Sequence, residues 1–166
     1  MHLTVEQTYP ADVAAVAAML ADAEFVRWRA ARPDAGAASQ VDVTGDPASG
    51  FTVSLRRTLP TDLIPVQLRQ LVGEHLEVRQ AEAWEPEREG RQVGTVAVEI
   101  AGAPVRMTGS LLLEPLPDGG TRQVYDGEVR ATVPVFSGTV EEAAGGAVRR
   151  TLEAEERAGR EWLARN

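Results

Sequence analysis

The stretch TVEEAAGGAVRRTLEAEERAGREWLAR, residues 139–165, decides the fold. On a wheel of 3.6 residues per turn, Val140, Ala144, Ala147, Val148, Thr151, Ala158 and Trp162 share one side, flanked by Leu152 and Leu163. Glu142, Arg149, Arg150, Glu153, Glu156, Arg157 and Arg160 take the other side. The pattern predicts one amphipathic helix of roughly 40 Å. Most of its apolar side chains are small, which leaves room between the helix and whatever it covers. Glu155 is the one charge inside the apolar stripe.

Working outward, His2 to Tyr9 alternates, with Leu3, Val5, Gln7 and Tyr9 on one face, and reads as a half-buried strand. Pro10 suits the first turn of a helix, Asp12 places a carboxylate at its positive end, and Val13, Val16, Ala17 and Leu20 form its stripe. A second short helix begins at Asp22 or Ala23, carries Phe25, Val26 and Trp28, and stops at Pro33 to Gly36. Strands are then predicted over Gln40–Thr44, Phe51–Leu59, Glu74–Trp84, Gln92–Ile100, Val105–Glu114 and Thr121–Val133. Gly- and Pro-containing turns separate them, with an irregular segment from Leu59 to Pro65 and a helical turn over Val66–Leu71. Strands joined by short turns imply an antiparallel sheet, and helices segregated to the chain ends imply an α+β domain. No repeat or linker divides the 166 residues, so residues 1–166 form a single domain.

Composition narrows the function. The formal net charge is −8, which disfavours nucleic-acid binding through a basic surface. Cysteine is absent, and with two histidines there is no metal-ligand spacing, so neither a metal nor a cofactor is expected. No apolar run approaches the ~20 residues needed to span a bilayer, so stable membrane insertion is not expected. The opening residues lack the layout of a signal peptide, and a cytoplasmic location follows by default. All 17 basic residues are Arg, a bias that fits a GC-rich genome.

The element order resembles the helix-grip fold of the START-like superfamily (SRPBCC), which includes birch-pollen-allergen type proteins and polyketide cyclases. The stretches Arg56–Pro65, Val72 to Trp84 and Val133–Gly138 are similar to those of a bacterial family of START-like domains, chiefly actinobacterial. The resemblance implies a curved antiparallel sheet of about seven strands wrapped around the long helix, with two short helices after the first strand. It also implies a cavity between sheet and helix that receives a hydrophobic small molecule or lipid. It brings no catalytic residues with it.

If the sheet wraps the helix, Phe51, Val53, Leu55, Leu76, Val78, Val96, Val98, Val105, Met107, Leu111, Tyr125 and Val129 face inward. They line a pocket or fill a core. The ligand-binding candidates are Phe51, Val53, Leu55, Val78, Val98, Met107, Leu111, Tyr125, Val148, Leu152 and Glu155. Glu155 is a carboxylate at the cavity floor, the partner of an inward arginine, or a residue where the helix end emerges into water, and pairing is the usual fate of a buried charge. Arg79, Arg106 and Arg130 are the arginines proposed for it. His75 opposes the phase of Leu76 and Val78 and is read as solvent-facing. Glu82, Glu85, Glu87 and Glu89 read as a solvated acidic turn. Gly94, Gly109 and Gly127 fit bends that curve the sheet. Trp28 with Phe25 and Pro33 is either a lid or packing, and Trp162 anchors the long helix. A hydrophobic-ligand carrier ranks first, a cyclase, aromatase or dehydratase-type enzyme second, and a protein-interaction domain third.

Overall fold

The computed structural model describes residues 1–32, 37–59, 66, 69, 76–133 and 135–165. The irregular segment from Pro60, the helical turn predicted over 66–71, His75 and Pro33 lie largely or wholly outside the described residues. Strand β1 spans His2–Tyr9, helices α1 and α2 span Val13–Leu20 and Ala23–Ala30, and the C-terminal helix α3 spans Ser137–Arg165. Between α2 and α3 run β2 (Ala37–Asp46), β3 (Gly50–Leu59), β4 (Leu76–Trp84), β5 (Gln92–Ala101), β6 (Val105–Pro115) and β7 (Thr121–Ala131). They form one seven-stranded sheet in the order β1-β7-β6-β5-β4-β3-β2, antiparallel throughout. This is the α+β helix-grip architecture that the element order predicts.

The boundaries differ where local chemistry overrides pattern. Pro10 lies outside α1; Asp12 is the N-cap, its carboxylate accepting from the Ala15 N–H at 2.8 Å. Asp22 caps α2 in the same way through Glu24 N–H at 2.8 Å. Strand β7 ends at Ala131, two residues before the predicted Val133, and α3 begins at Ser137, just before the expected Thr139.

Alternation sets the core. The inward phase of each strand, including Leu3, Val5, Phe51, Val53, Leu55, Val96, Met107, Leu111, Tyr125 and Val129, is buried with Val140, Ala144 and Leu152 of α3. Gly109 faces Gly127 across β6 and β7. A Cβ on Gly109 would lie 2.4 Å from the Asp126 carbonyl oxygen, and one on Gly127 would lie 2.5 Å from that of Thr108. The pair allows a close approach at the bend of the sheet.

The two ends of α3 are held differently. At its C-terminal end Trp162 packs on Phe25 and Trp28, with ring centroids 5.4 and 5.5 Å apart. This is the anchoring predicted for Trp162, and it places Phe25 and half-buried Trp28 in packing between α2 and α3. Gly159 lets α3 rest directly on β1, because a Cβ there would sit 2.5 Å from Cε1 of the Tyr9 ring.

Two of the glycines of α3, Gly159 and Gly146, respond oppositely to Ala. Ala is favoured over Gly in a helix interior by ~0.8–1 kcal/mol. In Gly159→Ala the clash with the buried Tyr9 ring outweighs that gain, for a net loss of about 1–2 kcal/mol. In Gly146→Ala the nearest atom is the mobile tip of Arg150, 3.3 Å away, and a gain of roughly 0.5–1 kcal/mol is expected. Urea denaturation of the two variants checks this; a stabilised Gly159→Ala would contradict the close approach.

Candidate functional site

Under the middle of α3 two buried acidic residues organise a polar cluster. Glu155 lies on the buried face of α3 and is 3% exposed. Its Oε1 accepts from Nη2 of Arg57 at 2.7 Å, and its Oε2 lies 3.6 Å from Nη1 of Arg29. Arg57 continues the inward phase of β3 after Phe51, Val53 and Leu55. Arg29 lies on the buried face of α2 with Phe25 and Val26. One carboxylate thus joins long helix, sheet and short helix. Glu155 is paired and does not emerge into water, but its partners are not the arginines expected. Arg79, Arg106 and Arg130 are exposed and pair with Glu77, Glu99 and Glu128. Their phase points them outward.

Burial opposes the charge on Glu155, but Arg29 and Arg57 outweigh it and hold the carboxyl below its ordinary value. Burial likewise opposes the charge on Arg29, while Glu155 and then Glu82 raise its pKa above the ordinary range.

The second acid, Glu82, corrects the reading of residues 82–89 as a solvated turn. Glu82 is 2% exposed, on the inward phase of β4 between Gln80 and Trp84. Three donors converge on it: Gln80 Nε2 at 2.9 Å and Tyr125 Oη at 3.2 Å reach Oε1, and Trp84 Nε1 at 3.1 Å reaches Oε2. Glu85, Glu87 and Glu89 are exposed, as expected. Burial, with Glu82 and Glu155 nearby, pushes the Tyr125 hydroxyl well above its ordinary pKa. Tyr9 is raised by the same causes; its hydroxyl donates to Gln7 Oε1 at 3.3 Å, and Gln7 donates to the Leu152 carbonyl at 2.6 Å.

Beside this cluster lies a cavity between the sheet and the N-terminal half of α3. Its sheet wall is Val78, Gln80, Val96, Val98, Ile100, Val105, Met107, Tyr125 and Val129; its helix wall is Ala144, Ala147, Val148, Thr151 and Leu152; Arg57 and Arg106 complete it. Tyr125, fully buried, marks the deep end of the cavity; Arg106 only borders it, its guanidinium pairing with Glu99 on the outer face of the sheet. Val78, Val98, Ile100, Ala147 and Val148 face the core but are only half-buried, because the space beneath the helix is unfilled. The cavity measures about 80 Å³ by the positions open to a water centre. One water needs roughly 10–15 Å³ on that measure, so the space takes about half a dozen heavy atoms.

Of the candidate ligand-binding residues, Val78, Val98, Met107, Tyr125, Val148 and Leu152 line this cavity. Phe51, Val53, Leu55 and Leu111 are buried core side chains outside its lining, and Glu155 sits behind it, bound to Arg57. Sequence reading missed Arg29, Arg57 and Glu82. The signal was present: each falls on the apolar phase of its own element, but charge was read as exposure. Among the described residues, no group of three His, Cys, Asp or Glu could hold a metal ion, and no helix is long and apolar enough to cross a membrane.

The architecture is the START-like, helix-grip fold. A START superfamily protein from Mycobacterium smegmatis is similar over 98% of this chain and 98% of its own, at 13% identity and a TM-score of 0.54. Norcoclaurine synthase from Thalictrum flavum, solved as a point mutant with a transition-state analogue, is similar over 98% of this chain and 96% of its own, at 13% identity and a TM-score of 0.55. The chain belongs to the family described as "Protein of unknown function (DUF2505)", whose model matches residues 4–163. The uncharacterized protein Rv0481c of Mycobacterium tuberculosis is 26% identical over 136 residues, 80% of this chain and 78% of that protein.

Glu155→Gln leaves two buried guanidinium groups without their carboxylate and is expected to cost about 3–5 kcal/mol. The sign of the pH effect follows from the lowered carboxyl. The unfolded chain binds the proton more readily, so the Glu155 contribution is complete above the ordinary value of 4.5 and is lost as pH falls through the folded value. Denaturation midpoints from pH 3 to pH 7 should therefore show a component below ~4.5 in the wild type that is missing in Glu155→Gln. Identical profiles would contradict the buried pairing.

Proposed function

We propose that the protein binds a small hydrophobic molecule in the cavity beneath α3, as a carrier. The observation that carries this reading is the half-buried apolar phase of Val78, Val98, Ile100, Ala147 and Val148 around unfilled space. In a filled core these side chains would touch protein on all sides. The volume suits a guest of one small ring or a short chain. The START-like fold supports the reading, as does the transition-state analogue held by the structurally similar norcoclaurine synthase.

A second reading, an enzyme of the cyclase, aromatase or dehydratase type, is favoured by one observation. Tyr125 and Glu82 bring two titratable groups into contact at the deep end of the cavity. A guest recovered chemically changed after incubation, with the change abolished in Tyr125→Phe, would move the assignment to that class.

Ala147→Phe fills the cavity from the helix side and tests the carrier reading. Binding of small hydrophobic guests, followed by methyl chemical shifts, should weaken at least tenfold, equivalent to ~1.4 kcal/mol. Circular dichroism should stay unchanged. Undiminished binding in a folded variant would place the guest elsewhere and contradict the proposal.

A further inference from the structure

The deep end of the cavity carries a chemical preference. Arg29 and Arg57 supply two buried positive charges; Glu82 and Glu155 supply two negative ones. The cluster is formally neutral without a guest. A charged head group would enter as an uncompensated charge, which is costly in an apolar site.

The hydrogen-bonding atoms left at that end are mixed. Tyr125 gives its only proton to Glu82, so its oxygen can still accept but cannot donate elsewhere. Gln80 gives one N–H to Glu82, which leaves its second N–H as a donor and its carbonyl oxygen as an acceptor. Both residues line the cavity. A hydroxyl group donates and accepts, and matches this set. A carboxylate only accepts and would face the lone pairs of Tyr125; an ammonium only donates and would face the Gln80 amide N–H. Arg57 also lines the cavity, but its Nη2 is engaged by Glu155 at 2.7 Å.

We infer that the guest is a neutral alcohol or phenol, with its apolar body between Val98, Met107 and Val148 and its hydroxyl on Tyr125 and Gln80. This rests on the carrier reading and narrows it from hydrophobic molecules at large to uncharged hydroxyl compounds.

Four guests of one skeleton, sized to the cavity, test it: 1-pentanol, pentanoate, 1-pentylamine and pentane. Each is titrated into the wild-type protein at neutral pH and followed by methyl chemical shifts of the valines. The alcohol should bind at least tenfold tighter than the acid or the amine, and several-fold tighter than the hydrocarbon. Tyr125→Phe should remove most of the advantage of the alcohol over pentane while pentane still binds. If that variant does not fold, Gln80→Met serves, and the wild-type ranking stands by itself. An acid that binds as tightly as the alcohol would hand the polar end to Arg57 and overturn the inference alone. An alcohol no tighter than the hydrocarbon would do the same. Failure of all four to bind would overturn the carrier reading and the inference with it.

Discussion

The ion pair between Glu155 and Arg57 fixes where the long helix can lie. Three buried charges from α3, β3 and α2 meet at one point, with 2.7 Å between the closest atoms. Taking such groups from water costs several kcal/mol each, and only good mutual geometry offsets it. The contact is therefore weak evidence for net stability and strong evidence for position. A helix that slid or rolled by one residue would leave charges unpaired in an apolar interior, so the cluster excludes neighbouring registers that hydrophobic packing alone would tolerate.

The space under the helix follows from that position. On the C-terminal side of Glu155, Gly159 brings the backbone against Tyr9, and Trp162 locks onto Phe25 and Trp28. On the N-terminal side the helix presents Ala144, Ala147, Val148 and Thr151 to the valines of β4 and β5. These side chains are too short to bridge the gap where the sheet curves away. The helix is thus close-packed from Gly159 to Trp162, is held again at its start, where Val140 is buried and Glu141 accepts from the Ala131 N–H at 3.1 Å, and stands off from the sheet in between. The same small residues that keep α3 helical, Ala above all, leave the cavity open.

Much of this was legible in the residue pattern, and the limits have physical causes. The strand order, the long helix and the inward phases of β3, β5, β6 and β7 followed from alternation and turns, because a half-buried sheet enforces a period of two. Glu155 stood out as a charge inside an apolar stripe. What escaped were the buried partners. Arg57 follows Phe51, Val53 and Leu55 at the same spacing, and Glu82 lies between Leu76 and Trp84 on their phase. A buried charge looks like an exposed one until its partner is known, and the partners come from elements far apart in sequence. Helix starts slipped for a local reason: Asp12 caps α1 itself, so Pro10 falls outside it.

Xenon under pressure tests the central claim most directly, because it occupies dry apolar cavities and ignores filled or polar ones. In crystals of the protein derivatised with xenon, the account predicts an ordered atom in the space bounded by Val96, Val98, Met107 and Val148. Continuous protein density there, or a chain of ordered waters that xenon does not displace, would contradict it.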